Sequence, residues 1–84
     1  LAADPETGAV RRFLTGPRGA EITGCVGTPD QTTLFVNIQH PGASTAADAF
    51  AAGRLDSQWP GPPSTVPRSA TVVITRDDGG KIGA

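Results

Sequence analysis

Thr33-Leu34-Phe35-Val36-Asn37-Ile38-Gln39 is the stretch whose pattern decides the fold. Leu34, Val36 and Ile38 fall on one side of an extended chain and Phe35, Asn37 and Gln39 on the other. That is the period-2 alternation of a half-buried strand. Upstream, Ile22 to Thr28 is small and β-branched and runs into Thr28-Pro29-Asp30. Pro fixes φ and Asp accepts from nearby backbone donors, so strands 22–28 and 33–39 are expected to form a hairpin. Downstream, Ala70 to Thr75 (A-T-V-V-I-T) reads as a second strong strand, and Lys81-Ile82 as the start of another. Ala9 to Leu14 is a shorter run between Thr7-Gly8 and Gly16-Pro17. Strand signals dominate, which predicts an all-β chain with a four-stranded antiparallel sheet.

The connection from His40 to Arg68 differs in character. Residues 45–55 have the composition for two helical turns, with Ser44 or Thr45 as N-cap and Gly53 as the stop. Residues 57–67 carry four prolines and exclude regular structure. A connection this long within a compact unit is either functional or mobile. The Pro-rich loop insertion is placed at about 43–67.

Composition bounds the rest. The chain has 84 residues with 11 Gly, 8 Pro, three Phe, one Trp, no Tyr and no Met. A folded unit of this size buries only roughly 60% of its unfolded surface and is marginal even with an ordinary core. One cysteine cannot form an internal disulfide, and no zinc-finger spacing replaces it. The net charge of −1 offers no basic stripe, so nucleic acid is not an expected partner. No apolar run approaches the ~20 residues of a membrane span. No charged-then-apolar leader precedes the first strand. A self-sufficient enzyme is not expected from so small a chain.

One internal echo suggests why. Asp4-Pro5-Glu6-Thr7-Gly8-Ala9-Val10 resembles Arg76-Asp77-Asp78-Gly79-Gly80-Lys81-Ile82, each an acidic turn, a Gly and then an aliphatic residue. Its structural meaning would be one supersecondary unit per period. Strands 22–28, 33–39, 70–75 and one from 81 would then form a β-propeller blade, with 9–14 the outer strand of the preceding blade. Residues 1–84 would be a single unit cut from a larger propeller.

The residues also carry a family likeness. Arg12-Phe13-Leu14-Thr15-Gly16-Pro17, Gly19-Ala20-Glu21-Ile22-Thr23-Gly24, Thr28-Pro29-Asp30, Thr33 to Gly42 (T-L-F-V-N-I-Q-H-P-G) and Val72 to Gly80 resemble the C-terminal segment of PhoX-type bacterial alkaline phosphatases. The likeness covers 11–42 and 68–82; Gln31 stands where Gly is expected after the turn aspartate, a departure of turn geometry. The resemblance implies a calcium-dependent, iron-containing phosphatase that hydrolyses phosphate esters and is periplasmic or secreted. This chain would be its last blade, inactive alone, with the remainder of the parent propeller as its partner; cut from it, the open blade is expected to self-associate unless it rearranges.

Individual residues are weighed on that basis. Glu21, at the start of the would-be innermost strand, is the best candidate metal ligand, since a carboxylate there suits a hard cation such as calcium. The rival account is a solvated carboxylate beside Arg18. His40, at the strand-to-loop junction, is a second candidate for metal, against a structural histidine that orders the following loop. No catalytic residue is assigned. Cys25 is expected to be a buried, inert small hydrophobe. Arg11 and Arg12 alternate onto opposite faces, so they form no phosphate clamp and suit a solvated edge strand. Trp59 is expected to be a lid over apolar residues. Asp77-Asp78-Gly79-Gly80 is read as a turn, because the 12-residue calcium-loop pattern is missing.

Two rival functions remain at this point. One is a non-catalytic propeller scaffold that binds a partner through loop 43–67. The other is a small β-domain that self-associates to cover its edges and faces.

Overall fold

The computed structural model describes residues 1–83 and is nearly all sheet and loop. Its elements are β1 (Ala2–Ala3), β2 (Val10–Arg11), β3 (Glu21–Gly27), β4 (Thr33–Gln39), α1 (Ala47–Ala51) and β5 (Ala70–Thr75). The fold is all-β and antiparallel. β3, β4 and β5 form one sheet in that order, and β1 and β2 form a separate two-stranded ribbon.

The expected hairpin joins β3 to β4. Thr28 N–H donates to the Thr33 carbonyl at 2.9 Å across its mouth. Asp30 Oδ1 organises the turn, accepting from Thr28 Oγ1 at 2.6 Å, Thr32 Oγ1 at 2.9 Å and Thr32 N–H at 3.1 Å. Gln31 sits there with φ 64, in the left-handed region that favours glycine. The turn thus keeps a backbone shape that suits Gly with a residue that does not.

Register sorts the side chains. Ile22, Cys25, Leu34, Val36, Ile38, Ala70, Val72 and Ile74 share one face, through pairs such as Ile22↔Ile38, Cys25↔Val36 and Val36↔Val72. A bulge between Thr23 and Cys25 at Gly24 preserves this sidedness. Gly24 has φ 59, and a Cβ there would lie 2.9 Å from Asn37 Nδ2. Val36 and Ile38, at 4% and 2% exposure, are the buried hydrophobic core among the described residues. The opposite face carries the cross-strand row Val26↔Phe35↔Val73, all three exposed.

Four local expectations need correction. Lys81-Ile82 does not start a strand beside β5. Instead Ile82 N–H donates to the Gln31 carbonyl at 2.8 Å, so the chain turns back to the β3–β4 hairpin after the 76–80 turn. The sheet of this chain is therefore three-stranded. Run 9–14 shortens to Val10–Arg11, which pairs with Ala2–Ala3; in this register only Leu1 of the 84 residues could face Arg12, and the 4–9 turn closes the other end. The helix is one turn, and its N-cap is Ala46 with no side-chain cap bond. Ser44 and Thr45 are engaged elsewhere, holding Asp56 through its carboxylate (2.7 Å) and its N–H (2.9 Å). Cys25 is exposed, because it lines an apolar cleft of about 420 Å³ with Phe13, Leu14, Leu34 and Ile82 that this chain does not fill.

The acidic-turn echo has a shared local cause. Asp4 Oδ1 accepts from Glu6 N–H at 2.9 Å and Asp78 Oδ1 from Gly80 N–H at 2.8 Å, and a left-handed glycine (Gly8, Gly79) lies in each turn.

Candidate functional site

The sheet brings the two sequence candidates together at one rim. Glu21 opens β3 opposite Gln39, the last residue of β4, and His40 follows directly. Their side chains face each other, with His40 Nε2 3.8 Å from Glu21 Oε2, both partly open to solvent.

His40 is held at its ring and at its backbone. Its ring Nδ1 lies 3.1 Å from the Gly19 carbonyl, and its backbone N–H donates to Ser69 Oγ at 3.0 Å. Its backbone has φ 40, unusual for a residue with a side chain. A carbonyl oxygen only accepts, so Nδ1 carries a proton and donates. Nε2 then faces a carboxylate, which only accepts, across 3.8 Å that is open to solvent, where water, another donor or a cation can stand between them.

The segment that holds the ring is itself locked. Gly42 N–H donates to the Arg18 carbonyl at 2.8 Å, and Ala20 N–H to the Pro17 carbonyl at 3.2 Å. Gly19 has φ 74, and a Cβ there would meet Ser44 Oγ at 2.7 Å and the Ala43 and Ser44 nitrogens at 3.0 Å. Close approach of loop 17–20 to turn 40–44 thus requires glycine at 19. Gly19 and Ser69 were not singled out from the sequence. The Pro17-Arg18-Gly19-Ala20 turn signature just before Glu21 is the signal that points to the first; nothing local points to the second.

Among the described residues, no group of three or more His, Cys, Asp and Glu converges as a complete metal cage. Asp77-Asp78 is the turn expected, with Asp78 paired to Arg76 at 2.8 Å. Trp59 lies half-buried in the loop, its carbonyl accepting from Arg68 N–H at 3.1 Å. No helix is long and apolar enough to cross a membrane among the described residues.

The family model described as alkaline phosphatase PhoX matches residues 1–42, half of the chain. The chain belongs to this family. The solved structure of Pseudomonas fluorescens PhoX in complex with vanadate, a transition state analogue, is 48% identical and superimposes with a TM-score of 0.79. That match covers 98% of this chain and 13% of the Pseudomonas protein, so the chain spans about an eighth of its length. No curated protein matches. PhoX-family membership and the all-β fold therefore stand, and the relationship is to a phosphatase far longer than these 84 residues.

Proposed function

We propose that the chain is the C-terminal blade of a metal-dependent, PhoX-like alkaline phosphatase propeller that is periplasmic or secreted. Within it, Glu21 and His40 extend the parent's metal site. The observation that carries this reading is the geometry of the pair. An imidazole that donates one ring N–H to a backbone carbonyl and turns the other nitrogen toward a carboxylate has the hydrogen-bonded backing typical of a metal-bound histidine.

The donor types fit the ions the family likeness implies. A carboxylate suits calcium, which takes six to eight oxygen ligands, and an imidazole suits iron. Two donors are too few to hold either ion alone, so the other ligands belong to the parent polypeptide. A bound cation would supply charge stabilisation to a phosphoryl group. This chain's own part is to orient one carboxylate and one imidazole, the latter by the Gly19 carbonyl at the ring and by Ser69 at the His40 backbone N–H. Activity from the 84 residues alone is not expected.

The test is a hybrid in which this chain replaces the matching segment of Pseudomonas fluorescens PhoX. Hydrolysis of a phosphate monoester is expected, with inhibition by vanadate. Glu21→Gln should lower metal affinity by about 10–100-fold, and His40→Ala should act in the same direction. A folded hybrid whose metal content and activity are unchanged by Glu21→Gln would remove Glu21 from the site.

A further inference from the structure

We infer that Arg18 is a specificity-determining residue of the phosphatase, binding a second phosphate on the leaving-group side of the ester. This rests on the proposal that Glu21 and His40 belong to the parent's metal site. Arg18 precedes Gly19, whose carbonyl lies 3.1 Å from His40 Nδ1, and stands three residues before Glu21. Its own carbonyl accepts from Gly42 N–H at 2.8 Å, which ties it to the turn that carries His40. Pro41 and Gly42 are buried, and a Cβ at Gly42 would lie 2.9 Å from Pro67 Cγ, so the end of the connection packs the tie in. Arg18 is thus mounted at the candidate site by its backbone.

Its side chain takes no part in that mounting. Pro17, Gly19 and Ala20 are half-buried, whereas Arg18 is exposed. Among the described residues its guanidinium has no hydrogen bond and no ion pair. Arg68 and Arg76 differ, since they donate to the Gly61 carbonyl and the Asp78 carboxylate. The Glu21 carboxylate faces His40 Nε2 and lies beyond ion-pair distance of Arg18, so neither charge neutralises the other. A free guanidinium held beside a metal-site carboxylate is a receptor for an anion, and its planar fork matches phosphate bidentately. Exposure decides which anion. The transferred phosphoryl group belongs to the metal ions, and the leaving group is the part that projects to solvent, where Arg18 stands. A leaving group that carries a phosphate, as in adenosine diphosphate, therefore meets this cation; the uncharged adenosine of adenosine monophosphate does not. In both hydrolyses water supplies the new oxygen to the terminal phosphorus and the bond to the bridging oxygen breaks. Only the charge on the departing group differs.

The test compares the two nucleotides in the metal-loaded hybrid with Pseudomonas fluorescens PhoX. Arg18→Gln should lower kcat/KM about 5–20-fold for adenosine diphosphate, mainly through KM, and no more than about twofold for adenosine monophosphate. Inhibition by vanadate, which stands for the transferred phosphoryl group, should shift by no more than about twofold. Arg18→Lys should recover part of the loss, and the difference between the nucleotides should shrink as salt is raised. Equal losses for both nucleotides, or weaker vanadate inhibition, place Arg18 on the transferred phosphoryl group or in the packing of the hybrid and overturn the inference. No loss for either nucleotide marks a solvated charge and also overturns it. A hybrid inactive toward both counts against the functional proposal instead. The residue aligned with Arg18 in the Pseudomonas protein is then set to Arg and to Gln: the same split retains the inference, and its absence overturns it.

Discussion

The three-stranded sheet and the connection from His40 to Ser69 keep their shapes by different means. The sheet is a regular ladder, and its core is the apolar side of β4, where Val36 and Ile38 are buried. The connection has one helical turn and otherwise depends on single hydrogen bonds: Ser44 and Thr45 to Asp56, Gln58 Oε1 accepting from Ser64 N–H, and Arg68 N–H to the Trp59 carbonyl. Repetition makes the sheet tolerant of a lost side-chain bond, whereas each link of the connection rests on one or two bonds. The candidate site lies where the two regimes meet, with Glu21 on the ladder and His40 on the first residue of the connection.

The largest expected break of that contrast is on the sheet side. Ile38→Ala should cost about 2–5 kcal/mol in urea unfolding, because it empties part of a very small core. It should unfold sheet and connection together. A loss confined to the connection would show that the ladder does not depend on this core.

Gly19→Ala comes next and should act the other way. Its left-handed φ and the close approach to Ser44 make a cost of about 2 kcal/mol the expectation. The loss should appear first as faster amide exchange at Gly42 and loss of the His40 ring contact, with β4 and β5 still protected. Equal loss of protection across the sheet would show that the connection supports the ladder.

A smaller change sharpens the sheet itself. Gln31→Gly should raise stability by about 0.5–1 kcal/mol, since it relieves a left-handed non-glycine and offsets this only partly by added unfolded-state freedom. A destabilised variant would mean that the Gln31 side chain holds the turn.

The smallest effect is electrostatic. The Thr28 hydroxyl, then the Thr32 N–H and hydroxyl, hold the Asp30 carboxyl below its usual range. A lowered folded-state value means the turn's contribution is complete above the ordinary carboxylate range and is lost as pH falls through the folded value. Thr32 amide shifts followed by NMR should therefore move only in strongly acidic solution, and Asp30→Asn should abolish that transition. A transition at the ordinary carboxylate position would remove the hydroxyl contacts from the account.

Much of the sheet was legible in the chain. Alternation over 33–39 and 70–75 and the Pro29-Asp30 turn are local signals, and period 2 leaves no freedom over which side chains share a face. Glu21 and His40 are singled out by the sequence as candidates, one by its place on a strand and the other at a strand end, and the structure sets their side chains 3.8 Å apart. The fates of Cys25, Ile82 and the helix cap were not legible. Cys25 has the composition of a core residue, yet its exposure depends on whether a neighbouring layer fills the cleft beside it. Ile82 has the character of a strand residue, but the carbonyl it reaches lies 51 positions earlier, at Gln31. Ser44 was free to cap a helix until Asp56 came within reach.

By itself, the sequence determined the antiparallel strands, the hairpin and a short supply of large apolar side chains for a core. Those follow from local backbone preference and from the side-chain inventory, neither of which requires distant contacts. Only the tertiary structure decided that Glu21 and His40 face each other, that Gly19 meets the imidazole while Ser69 holds the His40 backbone, and that β5 is left with an open edge. These arise from contacts between segments far apart in the chain. Their geometry depends on register and on the path of the connection, which no local pattern encodes.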